Sequence, residues 1–165
     1  MQIEQQFIAL FKVNQNVVHK VCNLYMDNVA DREDLFQEIT LQAWKSFPNF
    51  KGQSKFSTWL YRVALNIAIT FYKKDKRKQS IFSSEEAPEA TAATYDPIEE
   101  QMQAMYKAIG ELSKIDKAIV MLYIEDYSYQ EIGDMLGITA NNVAVKMNRI
   151  KTKLKEQTPK HFARI

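Results

Sequence analysis

Residues 128–154 read SYQEIGDMLGITANNVAVKMNRIKTKL, and this stretch decides the fold of the C-terminal part of the chain. Ser128 and Glu131 stand three positions apart, the spacing of a capping box that starts a helix. Gly137 then interrupts the pattern, and Thr139 can cap a second, longer helix. An apolar stripe follows on that helix at positions Val143, Met147, Ile150 and Leu154. The stretch therefore predicts a helix-turn-helix.

The second predicted helix and the tail after it are strongly basic. Residues 140–165 carry a net charge of +6. Duplex DNA carries one negative charge per ~1.7 Å, so a cationic helix gains affinity there by releasing counterions. With the apolar stripe turned inward, the outward side near the helix N-terminus carries Asn141, Ala144, Val145 and Asn148. Helix-turn-helix proteins read base edges from this position, so we expect DNA binding; a solvated basic face on a structural helix is the alternative.

The whole chain has 165 residues and a net charge of only +2, which by itself is weak support for a nucleic-acid partner. A single cysteine excludes an internal disulfide, and four Gly with four Pro are too few for a β-sandwich or barrel. No apolar run approaches the ~20 residues of a membrane span, and the N-terminus lacks a signal-peptide pattern. We therefore expect a soluble, cytoplasmic, all-α protein.

Charge divides the chain into three parts. Residues 1–78 carry a net charge of +5, residues 79–100 carry −6 and residues 101–165 carry +3. The middle part is rich in Ser, Ala, Thr and Glu, a composition typical of a linker with little capacity to form a core. We predict two small helical domains, 1–78 and 98–165, joined by a flexible acidic linker over 79–97. Whether that linker is functional or only a solvated spacer stays open.

Helical periodicity also runs through the N-terminal part. It predicts a helix over 3–26 with a break near Asn14–Asn16, a second over 31–47 with Asp31 as its N-cap, and a third over 56–74. The second helix has an acidic, amide-rich face made of Asp34, Gln37, Glu38 and Gln42. Such a face fits solvent or a protein partner and does not fit DNA.

Aromatic and cationic residues alternate from the end of the second helix into the third. Cations that follow phosphates, beside pockets for unstacked bases, are what single-stranded DNA requires. Trp59 and Phe71 are better explained as core residues. The loop 49–55 has little apolar content, and loops on a rigid scaffold commonly carry binding.

Metal binding is a weaker interpretation of this sequence. His19 and Cys22 are three positions apart, but only His161 remains as another soft ligand and a closed zinc site needs four. Glu33, Asp34 and Glu38 lack the Glu-x-x-His partners of a carboxylate-bridged metal site. We expect structural roles for these side chains, and neither a metal nor a cofactor.

Three motifs together resemble the extracytoplasmic-function (ECF) group of sigma-70-type RNA polymerase sigma factors. DLFQE at 34–38 and FSTWLYRVALN at 56–66 are typical of the family's first conserved domain, and YSYQEIGDMLGIT at 127–139 of its second. The resemblance implies sigma domain 2 over residues 1–78 and sigma domain 4 over 98–165.

The resemblance also implies a function. It is that of a transcription initiation factor that binds core RNA polymerase, directs it to −35 and −10 promoter elements and promotes DNA melting. The implied partners are the clamp helices of the largest polymerase subunit, the polymerase flap, and promoter DNA that is double-stranded at −35 and melted at −10. An anti-sigma factor, commonly membrane-anchored, is implied as regulator. Neither enzymatic activity nor a small-molecule substrate is implied. The alternative is a stand-alone helix-turn-helix regulator that binds duplex DNA as a dimer.

Individual residues receive roles from the same resemblance. Core-polymerase binding is implied for Asp34, Gln37 and Glu38. Binding to the −10 element is implied for Asn49, Phe50, Lys51, Gly52, Lys55, Arg62, Asn66, Lys73 and Lys74. Binding to the −35 element is implied for Thr139, Asn141, Asn142, Ala144, Val145, Lys146, Asn148, Arg149, Lys151 and Lys153.

The −35 helix departs from the family pattern at three positions. Ala144 stands where members usually carry Lys or Arg, Val145 stands where they carry Ser, and Asn148 replaces a commonly larger residue. Lys146 and Arg149 match cationic family positions. We therefore expect an atypical −35 preference.

Overall fold

The computed structural model describes residues 2–71 and 97–157, and every regular element within those ranges is a helix. The helices are α1 (Gln2–Tyr25), α2 (Val29–Ser46), α3 (Phe56–Thr70), α4 (Pro97–Gly110), α5 (Lys114–Ile124), α6 (Tyr129–Leu136) and α7 (Ala140–Gln157), with a short 3-10 helix at Phe47–Asn49. The predicted all-α fold of two helical domains is confirmed. The predicted linker, except Pro97, lies outside the described residues, as do Lys73, Lys74 and His161.

Helices α1 to α3 pack together as the N-terminal domain. Apolar side chains that recur every three or four positions are fully buried where the three helices meet, at Val18, Val21, Leu35, Ile39, Leu60 and Leu65. A second cluster of aromatic rings closes one end of this domain. There the rings of Phe7 and Phe56 pack against Phe47, with centroids 5.3 and 6.2 Å from its ring.

Two details of α1 and α2 differ from the sequence-based expectation. The break predicted near Asn14–Asn16 is wrong, because α1 is continuous. Burial of Phe7 before that segment and Val18 after it outweighs the weak helix propensity of asparagine. Asp31 is not the N-cap of α2: Asn28 takes that position, and its side chain accepts a hydrogen bond from the Asp31 amide at 2.8 Å.

Helix α3 ends earlier than predicted. Thr70 is its last residue and Phe71 already has an extended backbone, so the predicted continuation of the helix through Phe71 is wrong, and residues 72–74 lie outside the described residues. Three of the last four residues, Ile67, Ile69 and Thr70, are β-branched and lower the helix propensity of this turn. Trp59 and Phe71 were predicted to be core residues, and both are partly buried and pack against the hydrophobic core.

Helices α4 to α7 form the C-terminal domain, with the predicted helix-turn-helix in α6 and α7. The capping box is present: Ser128 Oγ accepts from the Glu131 amide at 3.1 Å, and Glu131 Oε1 accepts from the Ser128 amide at 3.4 Å. Gly137 ends α6 with a φ of 76°, a left-handed conformation that favours glycine. Thr139 Oγ1 then accepts from the Asn142 amide at 3.0 Å and caps α7.

The two domains contact one another through α3, which packs against α5 and α6. Their buried side chains form one continuous apolar cluster. Across the parts of the chain that the structure describes, no helix has both the length and the apolarity to cross a membrane.

Candidate polymerase and nucleic-acid interfaces

The acidic face of α2 points away from the core. Leu35, Ile39 and Ala43 bury the opposite side of the helix. Asp34 and Gln37 are exposed, while Glu38 is half-buried and its Oε1 accepts a hydrogen bond from Gln42 Nε2 at 3.0 Å. The structure therefore brings together the three residues Asp34, Gln37 and Glu38, which we call the polymerase face.

An apolar groove that sequence reasoning missed adjoins this face. It has a volume of about 470 Å³ and lies between α1 and α2 beside Gln37, where Ile8, Leu41 and Trp44 line it. All three apolar side chains are more than a third exposed. The sequence contained one signal for this groove. Trp44 directly follows Ala43, the last residue of the buried stripe of α2, and therefore lies at the edge of that stripe.

The loop between the 3-10 helix and α3 is exposed along most of its length. Lys51, Gly52 and Lys55 are open to solvent, and Gly52 has a φ of 73°, which allows a sharp reversal of the chain. Phe50 differs from its neighbours, because its ring packs 5.3 Å from Trp59 and 5.7 Å from Phe56. Phe50 is therefore half-buried against the aromatic cluster, while its expected contact with DNA stays a prediction.

On α3, the side chains of Thr58, Arg62 and Asn66 follow one another at intervals of one turn. Arg62 and Asn66 are exposed and continue the basic surface of the loop. We call the loop 49–55 with Arg62 and Asn66 the −10 surface. A cavity of about 680 Å³ runs along it, and its other wall is formed by Glu131, Asp134 and Met135 of α6.

The predicted DNA-contact residues of α7 point in different directions and differ in exposure. Asn141, Val145 and Asn148 are exposed on the side opposite the buried stripe, whereas Ala144 is half-buried at its edge. Ala144 is less exposed than the other three residues predicted to face outward, because its position lies only about a quarter turn from Val143, which is buried.

The cations of α7 lie on its two flanks. Lys146, Arg149 and Lys153 line a shallow cavity on one flank beside Asp116. On the other flank, Lys151 places its ammonium 5.3 Å from the centre of the Tyr123 ring. The two predicted residues at the start of the helix, Thr139 and Asn142, are exposed.

Two of the ionisable side chains, Cys22 and Tyr61, are buried in the core. Burial raises the pKa of the Cys22 thiol from 9.0 to about 11, against a smaller opposing effect of Arg32. Burial also raises the pKa of Tyr61, and the Glu125 carboxylate raises it further. His19 is exposed and its ring stacks on Phe36 at 4.7 Å. Within 2–71 and 97–157, no three His, Cys, Asp or Glu side chains gather in a way that could hold a metal.

Comparison with known families matches both domains. The family described as Sigma-70 region 2 matches residues 10–78, and the family described as Sigma-70, region 4 matches residues 102–154. The ECF RNA polymerase sigma factor SigW of Bacillus subtilis is 26% identical and aligns with 93% of this chain and 89% of its own length. The ECF RNA polymerase sigma-E factor of Haemophilus influenzae is also 26% identical, over 90% of this chain and 85% of its own.

Two of the solved structures that share the fold are complexes of other proteins. One is the sigma factor RpoE in complex with the anti-sigma factor NepR from Bartonella quintana, with a TM-score of 0.61, 17% identity, and coverage of 94% of this chain and 96% of that one. The other is CnrH in complex with the cytosolic domain of CnrY, with a TM-score of 0.62, 18% identity, and coverage of 93% and 87%. At these identities the similarity supports the fold alone.

Proposed function

The chain belongs to the ECF group of RNA polymerase sigma factors, and from this membership we propose how its surfaces act at a promoter. As a member it is a transcription initiation factor that binds core RNA polymerase and promoter DNA. Members of this family are regulators rather than enzymes, and we assign this chain no reaction of its own. The supporting observation is that three surfaces of different chemistry are exposed on α2, on α3 with its loop, and on α7.

The polymerase face is the proposed contact with the clamp helices of the largest polymerase subunit. Its carboxylates and amide can form hydrogen bonds to a basic or polar helix, and the neighbouring groove adds apolar area. Asp34 and Gln37 are exposed on a rigid helix and take no part in the core, so binding would leave the domain fold unchanged.

The −10 surface is the proposed binding site for the melted strand. Lys51, Lys55 and Arg62 supply positive charge for phosphates, and the exposed loop supplies room for an unstacked base. Extracting a base from the stack costs a few kcal/mol, so easily melted sequences are favoured. Phe50 holds the loop against the aromatic cluster.

Helix α7 is the proposed reader of the −35 duplex. Asparagine can pair with adenine and valine can contact a thymine methyl, so Asn141, Val145 and Asn148 favour A·T pairs. Lys146, Arg149 and Lys153 lie on one flank, where they suit the phosphates of one strand. The tail after residue 157 adds further positive charge.

Regulation by an anti-sigma factor is also proposed. The two solved structures described above are complexes, one with the anti-sigma factor NepR and one with the cytosolic domain of CnrY. A protein of this class that covers the polymerase face or the −10 surface would keep the chain from polymerase. The proposed place of action is the cytoplasm, where polymerase and promoters meet.

The function can be tested with purified core polymerase and genomic fragments. We expect the chain to co-elute with core polymerase, and run-off transcription with mapped start sites to reveal shared −35 and −10 elements. Core polymerase alone is the control. Failure to bind core polymerase, combined with protection of a palindromic duplex by the chain alone, would support the stand-alone regulator instead.

A further inference from the structure

A cavity of about 480 Å³ lies where α1 of the N-terminal domain faces α4 and α5 of the C-terminal domain. Its walls are mostly apolar and include Leu24 from α1, Ile109 from α4, and Val120 with Met121 from α5. Sites for small organic molecules are concave, have volumes of about 300–1,000 Å³ and combine apolar walls with a few polar groups. None of these residues belongs to the polymerase face, the −10 surface or α7, so the cavity is separate from the surfaces proposed above.

The apolar lining of this cavity has a buried part and an exposed part. Ile109 and Val120 are almost completely buried, so the core fixes their positions. Tyr106 and Ile124 also line the cavity, yet 68% and 64% of their surfaces are exposed. Large apolar side chains exposed beside a concave surface are typical of a binding site, because a ligand that covers them removes apolar area from water.

The polar part of the lining carries one charge of each sign. Lys20 Nζ lies 3.0 Å from Glu125 Oε1, and both side chains line the cavity while they stay partly exposed to solvent. Asn23 also lines the cavity and stands three positions after Lys20, so the two lie on the same side of α1. Together these groups offer N–H donors and carboxylate acceptors without a net charge.

The Lys20–Glu125 ion pair determines which polar group the cavity favours in a ligand. A negatively charged ligand would meet the Glu125 carboxylate, and a positively charged ligand would meet the Lys20 ammonium, so each ion is repelled by one member of the pair. An uncharged hydroxyl or amide can accept a hydrogen bond from Lys20 or Asn23 and donate one to Glu125 while the ion pair stays intact. The lining therefore favours a neutral polar group joined to an apolar body.

We propose that this cavity binds an uncharged amphiphilic small molecule. Its apolar body packs against Ile109, Val120 and Met121, and its hydroxyl or amide group lies at the Lys20–Glu125 pair. The inference goes beyond the polymerase and promoter functions and does not depend on them. Because α1 forms one wall and α4 with α5 forms the other, the bound molecule contacts both domains, and saturating ligand should raise the unfolding midpoint of the chain by mass action.

The test uses three probes that share one linear alkyl chain and differ only in the polar group, namely 1-octanol, octanoate and octylammonium. Their affinities for the full-length protein are measured by isothermal titration calorimetry at concentrations below those at which the probes aggregate. We expect 1-octanol to bind several-fold more tightly than either ion. Since 1-octanol is also the least soluble of the three in water, the decisive result is how this preference changes when the ion pair is altered.

Variants of the ion pair should change the preference in opposite directions. Lys20→Gln leaves the Glu125 carboxylate without its cation, so octylammonium should gain several-fold in affinity. Glu125→Gln leaves the ammonium without its anion, so octanoate should gain instead. The double variant should again repel neither ion, and Lys12→Gln, at an exposed position of α1 outside the cavity, should bind all three probes as the unaltered chain does. General apolar adsorption would respond alike to all of these changes.

A second pair of variants tests the apolar wall. Met121→Trp fills part of the cavity, and Met102→Trp places the same ring on an exposed position of α4 that does not line it. We expect at least a tenfold loss of affinity for 1-octanol in Met121→Trp and an unchanged affinity in Met102→Trp.

Methyl NMR of the unaltered chain locates the ligand without relying on a variant that could misfold. During titration with 1-octanol, the methyl resonance of Met121 should shift and saturate, whereas those of Met135 and Met147, which do not line the cavity, should stay in place. A fixed Met121 resonance would overturn the site. So would equal affinity of the two tryptophan variants, or an order of probe affinities that is the same in every charge variant.

Discussion

Gly133 in α6 lies directly against the turn of the helix-turn-helix, so that a Cβ at this position would come 2.5 Å from the Ile138 carbonyl oxygen. Backbone atoms cannot move aside as a flexible side chain can. We therefore expect Gly133→Ala to lower the free energy of unfolding of the C-terminal domain by about 1–3 kcal/mol, the usual range for overpacking. Chemical denaturation followed by circular dichroism measures this change.

Gly110 supplies the matched control. It ends α4, and a Cβ added there would meet no atom within 4 Å, so Gly110→Ala adds the same methyl group without a clash. That variant should be neutral or slightly stabilising, by up to about 1 kcal/mol. Equal stability of the two alanine variants would show that the close approach of Gly133 to the turn does not matter in solution.

Removal of the polymerase face should separate binding from folding. In the double variant Asp34→Ala with Gln37→Ala, we expect at least a tenfold loss of affinity for core polymerase, because two exposed polar contacts disappear together. The unfolding midpoint should stay unchanged, since neither side chain is buried. Gln15→Ala with Asp27→Ala removes one amide and one carboxylate from exposed positions elsewhere, and should bind as the unaltered chain does. Equal affinity of both double variants would refute the assigned face.

How far the sequence could predict this structure depends on the range of the interactions. The capping box of Ser128 and Glu131 and the cap at Thr139 are local, and each was predicted correctly because three or four residues contain the whole interaction. The predicted break near Asn14–Asn16 failed for the opposite reason. There the local preference of asparagine was overruled by packing of Phe7 and Val18 against other helices.

For the candidate sites too, the features that depend on one segment were predictable and those that depend on contacts between elements were not. Exposure of Asp34 and Gln37 followed from the helical period of one segment, and so did the outward face of Asn141 and Asn148. The packing of Phe50 on Trp59 and the hydrogen bond from Asn66 to Met135 join residues on different elements. No periodicity in the sequence encodes such contacts, which is why the packing of α3 against the C-terminal helices became visible only in three dimensions.

The buried thiol of Cys22 predicts a specific dependence of stability on pH. Burial raises its pKa in the folded state from 9.0 to about 11, so in that interval the unfolded chain releases a proton that the folded chain retains. The free energy of unfolding should therefore fall as the pH rises from 9 toward 11, by up to about 1.4 kcal/mol per pH unit.

Denaturant titrations at several pH values measure this slope, with Cys22→Ala as the comparison. The alanine variant should lose the part of the decline that begins near pH 9, whereas the contribution of buried tyrosines at higher pH remains. Parallel curves for the two proteins across the interval would mean that the thiol ionises equally in both states.

Residues on the outer face and on the flank of α7 should affect promoter binding differently. Arg149→Ala removes a proposed phosphate contact, so holoenzyme binding should weaken by a similar factor on all promoters, and the slope of log K against log salt should shrink by about 0.9. Asn148→Ala removes a proposed base contact and should relax preference at one −35 position by about 1–3 kcal/mol while leaving the salt slope unchanged. Filter binding of holoenzyme to a library of −35 variants at several salt concentrations measures both effects.

Lys107→Ala on α4 removes an exposed cation outside α7 and serves as the control. An unchanged salt slope for Arg149→Ala, or an unchanged −35 preference for Asn148→Ala, would contradict the role assigned to that residue, because a phosphate contact acts through charge and a base contact through hydrogen-bond geometry.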